Sequence, residues 1–383
     1  MSPREQHSST SLSSLADPTT SKVLVGLSGG VDSAVAAHLL LEQWYEVIAG
    51  FMKNYADESN PHCQTREDRN MAIKVAHHLG IRTFVIFDFR EQYHETVVSY
   101  IYDGYRAGIT PNPDILCNSE IKFRLFMDEA IKLGCSHVAT GHYARIRRSE
   151  HHESHEHGVQ SDVRPLYHLY RWVDDNKDQS YFLAGLHQDQ LSRSLFPLGE
   201  LTKPRVREIA RDLQLPNADR KDSQGICFIG KVRIKDFLAE QLPQRPGRIV
   251  TVDGREVGTH DGAWFYTRGQ REGLGIGGWI PYYVVDKDVA SNTLIVGTKD
   301  DNALFDHQLT TSQRHRLGSP RSLPWSGHAQ IRYRQPLQSV RVEATAHPGQ
   351  MRITFTEPQR AISSWQTVAL YEGDELIASG TIA

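Results

Sequence analysis

Leu24-Val25-Gly26-Leu27-Ser28-Gly29-Gly30-Val31-Asp32-Ser33 joins a buried-strand pattern to the start of a helix through a glycine pair and two hydroxyls. Adjacent glycines let a main chain approach a phosphate closely, and the N–H groups opening the next helix add donors and a positive dipole end. Ser28 and Ser33 can supply hydroxyl donors. Asp32 is the odd member, because a carboxylate beside phosphates repels them unless it works through Mg2+ or orients the loop. No lysine follows the glycines, so this is not a Walker A loop. The competing reading is a strand-to-helix turn whose glycines serve packing alone.

Working outward, residues 21–215 alternate short apolar runs with helical periodicity, the mark of a parallel sheet flanked by helices. Strands are expected over 23–26, 47–52, 83–87 and 137–140, and helices over 66–79, 91–102 and 203–213, the last with Thr202 as cap and Pro204 in its first turn. After Ser33 the spacing sets Val31, Ala34, Val35, His38 and Leu39 on one helical face. A further helix is expected over 118–133 with Asn118 as N-cap. The loops at the carboxyl ends of parallel strands gather on one edge, where ligands bind in open α/β sheets. Residues 149–165 interrupt the order with a histidine-rich stretch that reads as a mobile loop between two strands rather than a metal site. From Gly247 the composition turns to β, with Asp253-Gly254 as a hairpin turn. The expected architecture is an α/β catalytic domain at 21–215, a small β-rich central domain at 216–300 and a β-barrel-like domain at 301–383, preceded by a disordered tail at 1–20.

The 383 residues carry a net charge of -3, which argues against indiscriminate nucleic-acid binding but leaves room for local basic patches. No apolar window reaches membrane-span length and no secretory or transit signal stands out, so a cytoplasmic protein is expected. The four cysteines, Cys63, Cys117, Cys135 and Cys227, form no C-x-x-C pair, which disfavours structural zinc and a disulfide scaffold.

Thr110-Pro111-Asn112-Pro113-Asp114-Ile115-Leu116-Cys117 stiffens a loop with two prolines and delivers an acid and a thiol just before the helix expected at 118. A thiol there would feel the helix dipole, which favours thiolate, and Asp114 could pass a proton to or from it. Asp222-Ser223-Gln224-Gly225-Ile226-Cys227 places a second cysteine in a glycine-flanked turn. Cys135 reads as core, while Cys63 fits no motif.

The S-G-G-V-D-S run at 28–33 resembles the loop of the ATP pyrophosphatase (PP-loop) families, which split ATP between the α and β phosphates. Together with T-P-N-P-D-I-L-C-N at 110–118, T-G-H-Y-A-R at 140–145, K-D-Q-S-Y-F-L at 177–183 and G-I-C-F-I-G at 225–230, it resembles the tRNA-specific 2-thiouridylase family over nearly the whole chain. The resemblance implies adenylation of the C2 oxygen of wobble uridine 34 and sulfur delivery from a persulfide, giving 2-thiouridine, AMP and pyrophosphate. It implies ATP with Mg2+ as substrate, bound by Gly26, Leu27, Ser28, Gly29, Gly30, Val31, Asp32 and Ser33 with Met52 and Gly141 near the adenosine. Cys227 would carry the persulfide, Cys117 would form a disulfide with it as sulfur leaves, and Asp114 would act as general acid/base. Implied tRNA contacts are Asn112, Pro113, Asp114, His142, Lys177, Asp178, Gln179, Arg332, Tyr333 and Gln366. Here Ser364-Trp365-Gln366 replaces the family's usual Pro-Gly-Gln. The implied partners are tRNAs of the Lys, Glu and Gln type and a persulfide donor protein, with no membrane. No tightly bound, protein-ligated metal is expected, although Asp114, Cys117 and Cys227 are also a feasible ligand set for an iron–sulfur cluster. The alternative activity is that of another PP-loop ligase acting on a small molecule, which needs no cysteine pair.

Overall fold

The structure, a computed structural model, describes residues 21–55, 65–150, 165–221 and 234–383. The expectations for the tail at 1–20, for Cys63, for the bulk of the histidine-rich insertion and for Cys227 therefore lie outside the described residues.

A five-stranded parallel sheet forms the first domain, in the order β3-β2-β1-β4-β7. These strands are β1 (Lys22–Gly26), β2 (Glu46–Lys53), β3 (Phe84–Asp88), β4 (His137–Ala139) and β7 (Ser194–Leu195). Successive side chains of β1 leave on opposite faces, so Val23 and Val25 pack in one core and Leu24 in the other. On the first face lie α1 (Val31–Glu42) and α2 (Thr65–His78). The apolar stripe expected for α1 is broader than the periodicity indicates, with Val31, Ser33, Ala34, Val35, Ala36, Ala37 and Leu40 all buried. Its alanines admit a second neighbour, the helix Lys203–Asp212, whose Val206 and Ala210 join the same core. His38, expected on the buried stripe, instead pairs with Glu42 at 3.2 Å. Thr202 stands at the N-cap of Lys203–Asp212 but makes no side-chain capping bond.

The helix expected from Asn118 starts five residues earlier. Pro113 occupies its first turn, where a missing N–H costs nothing, and the run continues as Pro113–Leu116, a wider π-helical stretch Cys117–Leu125, and Phe126–Lys132. Asn118 is thus interior to the helix and donates through Nδ2 to the Phe182 carbonyl at 2.9 Å.

The central domain has a four-stranded sheet in which β8 (Gly247–Thr251) and β9 (Glu256–His260) form the hairpin expected around Asp253-Gly254, with Gly254 at φ 86°. β10 (Tyr283–Asp288) and β11 (Thr293–Gly297) complete it in the order β10-β11-β8-β9. The last domain comprises β12 (Phe305–Arg316), β13 (Trp325–Gln330), β14 (Gln338–Ala344), β15 (Met351–Arg360), β16 (Thr367–Glu372) and β17 (Glu375–Ile382). Pairing of β12 with β17 closes these strands into an antiparallel barrel around Val342, Ile353, Phe355, Val368 and Leu370. The hairpin β5 (Arg145–Glu150) and β6 (Pro165–Tyr170) leaves the first domain and joins the barrel sheet, with Leu169 opposite Leu376. His168 Nδ1 lies 2.6 Å from Glu375 at this junction.

Burial pushes His137, His142, His260 and His315 below the ordinary imidazole value of 6.5, so each takes up a proton less readily in the folded chain than in the unfolded one. The unfolded chain takes up those protons as pH falls below 6.5, and folding stability falls with it, by at most about 1.4 kcal/mol per pH unit for each group. A lower urea midpoint at pH 5.5 than at 7.5 is expected; an unchanged or higher midpoint would contradict this account.

Candidate active site

The candidate phosphate loop, residues 26–33, is pinned from behind. Leu27 N–H donates to the Gly50 carbonyl at 2.8 Å, and the Ser33 hydroxyl donates to the Gly30 carbonyl at 3.1 Å while receiving Ser28 N–H at 3.2 Å. Gly29 has φ 77°, and a Cβ there would fall 2.5 Å from the Asp68 carbonyl oxygen, so both conformation and space require glycine. Its own carbonyl accepts from Asn217 Nδ2 at 3.0 Å and Arg220 Nη1 at 3.2 Å, while Arg220 also pairs with Asp68. Met52 packs its methyl against Gly26. Gly141 follows β4 so closely on α1 that a Cβ would sit 2.7 Å from the Asp32 carbonyl carbon and the Ser33 nitrogen. The loop residues, Met52 and Gly141 are therefore gathered at one end of the sheet.

Asp32 is held by three groups. Tyr143 Oη donates to it at 2.6 Å, Lys203 Nζ lies at 2.5 Å and Lys177 Nζ at 3.1 Å. Both ammonium groups also lie over the Tyr143 ring, 5.1 and 5.5 Å from its centroid. Two ammonium groups thus gather on the one carboxylate of the loop. Lys177, expected at the tRNA surface, thus stands at the phosphate loop.

Two other expected tRNA contacts turn inward. His142 packs against both Phe123 and Phe196, with Nδ1 2.7 Å from Thr140 Oγ1, and is 9% exposed. Asp178 is 5% exposed, and its carboxylate accepts from the Trp172 and Ser180 N–H groups, from Ser180 Oγ and from Arg171 Nε. Such groups hold the segment and present no charge outward. Gln179 is tied to Tyr143, accepting its N–H at Oε1 at 3.0 Å.

Cys117 is 1% exposed in the second turn of its helix, past the N-terminus where the sequence reading set it. Asn112 occupies the N-cap position, Pro113 and Asp114 the first turn, and Pro111 packs on Gly104. The segment is tied to the other domains, since Thr110 Oγ1 lies 2.9 Å from Thr267 Oγ1 and Gln366 Nε2 donates to the Thr110 carbonyl at 2.6 Å. Arg332 and Tyr333 sit on the barrel turn after β13, with Tyr333 packed on Phe182 at 4.4 Å between centroids. Cys135 is core, and burial pushes its thiol up to about 11. Among the described residues no group of three or more His, Cys, Asp or Glu side chains could hold a metal ion, and no helix is long and apolar enough to cross a membrane.

Three families match in series: a tRNA methyl transferase HUP domain over residues 21–231, a tRNA methyl transferase PRC-barrel domain over 235–298 and an aminomethyltransferase beta-barrel domain over 306–382. A protein of Lysinibacillus sphaericus named tRNA-specific 2-thiouridylase MnmA is 46% identical over 96% of this chain and 95% of its own length. The chain belongs to the MnmA family. A second MnmA, from Streptococcus mutans, is 44% identical over 96% of both chains. A 4-thiouridine synthetase–RNA complex with bound ATP superposes with a TM-score of only 0.36, at 16% identity over 58% of this chain and 50% of that one.

For this MnmA-family chain the sequence reading missed Lys203, Tyr143, Asn217 and Arg220. Lys203 was legible only as a helix opening, although Thr202-Lys203-Pro204 sets a cation at a helix start. Asn217 and Arg220 fall just beyond the boundary drawn at 215, in the run leading to Asp222.

Proposed function

We propose that this chain is a tRNA-uridine 2-sulfurtransferase that converts wobble uridine 34 to 2-thiouridine at the expense of ATP. The observation that carries the reading is a phosphate loop without a Walker lysine and a buried helix-borne cysteine in one domain, in a chain alignable over nearly its full length with 2-thiouridylases. The C2 oxygen of uridine attacks the α-phosphorus of ATP, pyrophosphate leaves, and the C2–O bond is primed to break. Gly26–Ser33 hold the phosphates, and Lys177 and Lys203 offset the charge that grows on the departing pyrophosphate. Met52 and Gly141 border the adenosine. Mg2+ would arrive with the triphosphate, and Asp32 is the one carboxylate on the loop.

A persulfide on Cys227 then attacks C2 with its outer sulfur, and AMP departs with the former C2 oxygen. The Cys117 thiolate attacks the Cys227 sulfur, so the outer sulfur stays on the base and the two cysteines are left as a disulfide. A thiol reductant supplies the two electrons that reset them, and a protein donor renews the persulfide. Asp114, in the first turn of the same helix, handles the proton. Asn112 and Pro113 border the target base, and Gln179, Arg332 and Tyr333 face the tRNA, while Lys177 stands at the phosphates and Gln366 holds Thr110. Arg360 stacks its guanidinium over the Tyr283 ring, 4.4 Å from the centroid, and its carbonyl accepts from Arg332 Nη2. A tRNA substrate is in keeping with a cytoplasmic enzyme.

The test supplies ATP, Mg2+, a persulfide donor and unmodified tRNA, and reads the wobble nucleoside by mass. Exchange of one oxygen for sulfur is expected. Gain of a methyl group, the activity in the matching families' descriptions, or no change at all, would overturn the assignment.

A further inference from the structure

Three consecutive barrel residues each reach a different support of the segment that precedes Asp114. The Trp365 ring stacks on Tyr100 with centroids 6.0 Å and planes 25° apart, and the Tyr100 hydroxyl lies beside the main chain of Asn112. Gln366 Nε2 donates to the Thr110 carbonyl at 2.6 Å. The Thr367 carbonyl accepts from the Tyr181 hydroxyl at 3.0 Å, and Asn112 Nδ2 donates to that same hydroxyl at 3.5 Å. Thr110 is held through its carbonyl and Asn112 through its side chain, with Tyr100 packed alongside.

Trp365 adopts this position at a conformational cost. Its φ is 66°, a left-handed backbone that a bulky side chain adopts only when its surroundings over-determine it. Barrel packing does not demand it, because the ring is 42% exposed and lies outside the barrel core. The conformation belongs to the turn Ser363–Gln366, closed by Gln366 N–H on the Ser363 carbonyl at 3.3 Å, and it sets the ring against Tyr100, with Trp365 N–H donating to the Ile382 carbonyl at 2.8 Å.

We propose that Trp365-Gln366-Thr367 is a positioning clamp by which the barrel sets the geometry of the Thr110–Asp114 segment and, through the helix it opens, of Cys117. The clamp rests on the sulfurtransferase reading for what that segment does, and on the contacts alone for its existence. Gln366, with its amide nitrogen on Thr110, acts on the segment directly, and Trp365 acts through Tyr100.

Three variants test it by hydrogen exchange over Ile109–Leu116, thermal midpoint, and kcat and KM for tRNA thiolation. Trp365→Gly relieves the left-handed strain and removes the stack. It is expected to raise exchange in this segment about tenfold with little change in thermal midpoint. Its kcat is expected to fall roughly tenfold with KM for tRNA within about twofold of wild type, as a misplaced reacting group requires. Trp365→Phe restores the stack and should behave as wild type. Tyr100→Leu breaks the same contact from the other domain and should reproduce the faster exchange. Unchanged exchange in both Trp365→Gly and Tyr100→Leu overturns the clamp, as does a rise in KM alone with exchange unaltered, which would make Trp365 a tRNA contact. A wild-type protein without thiolation activity would refute the functional assignment while the exchange measurements still decided the clamp.

Discussion

Replacing Cys117 with alanine is expected to abolish 2-thiouridine formation, by roughly 10⁴-fold or more, because the covalent sulfur relay has no second thiol to complete it. Pyrophosphate release dependent on tRNA should persist within about threefold, since adenylation precedes any bond to sulfur. Cys117 is 1% exposed, and alanine suits that site better than serine, whose hydroxyl would need a buried partner. Separate assays of released pyrophosphate and of thiolated nucleoside distinguish the steps. Loss of both would make Cys117 part of the adenylation machinery, and retention of thiolation would remove it from the relay.

Gly141→Ala should be nearly as damaging to the first half-reaction. Its Cβ would press to 2.7 Å on Asp32 and Ser33 backbone atoms, which cannot swing aside as a flexible side chain would. The first turn of α1 must then shift, and the donors aimed at the phosphates shift with it. ATP affinity is expected to fall about 100-fold, with a stability loss of about 1–3 kcal/mol from overpacking. Gly277→Ala is the matched control, because nothing lies within 4 Å of a Cβ there. Calorimetric titration with a non-hydrolysable ATP analogue reads the difference, and equal affinity in the two variants would show that the loop tolerates displacement.

The first strand, the glycine-pair turn and the following helix could be read directly from residues, because their signals are local: apolar runs, turn chemistry and a 3.6-residue period. The helix bearing Cys117 was displaced by five residues because Pro111 and Pro113 together look like a loop, whereas a proline at the first helical position is compatible with helix. His142 and Asp178 illustrate a different limit. Polar residues within motifs suggest surface contacts, and only packing shows that Phe123 and Phe196 pack against one while four donors saturate the other. Lys203 and Trp365 escaped notice because their partners, Asp32 and Tyr100, are far away in sequence. Barrel closure through β12 and β17 is non-local in the same way.

The pairing of Leu169 with Leu376 bears on how the protein is made. On the ribosome the β6 edge that will face β17 emerges early and waits, with its hydrogen-bonding groups unmatched, until the last strand has been synthesised. An unpaired strand edge invites association with other chains, so the growing polypeptide is most exposed to misassembly during that interval. The hairpin also makes the first domain a poor candidate for excision: cutting the chain before the barrel would strand that edge permanently.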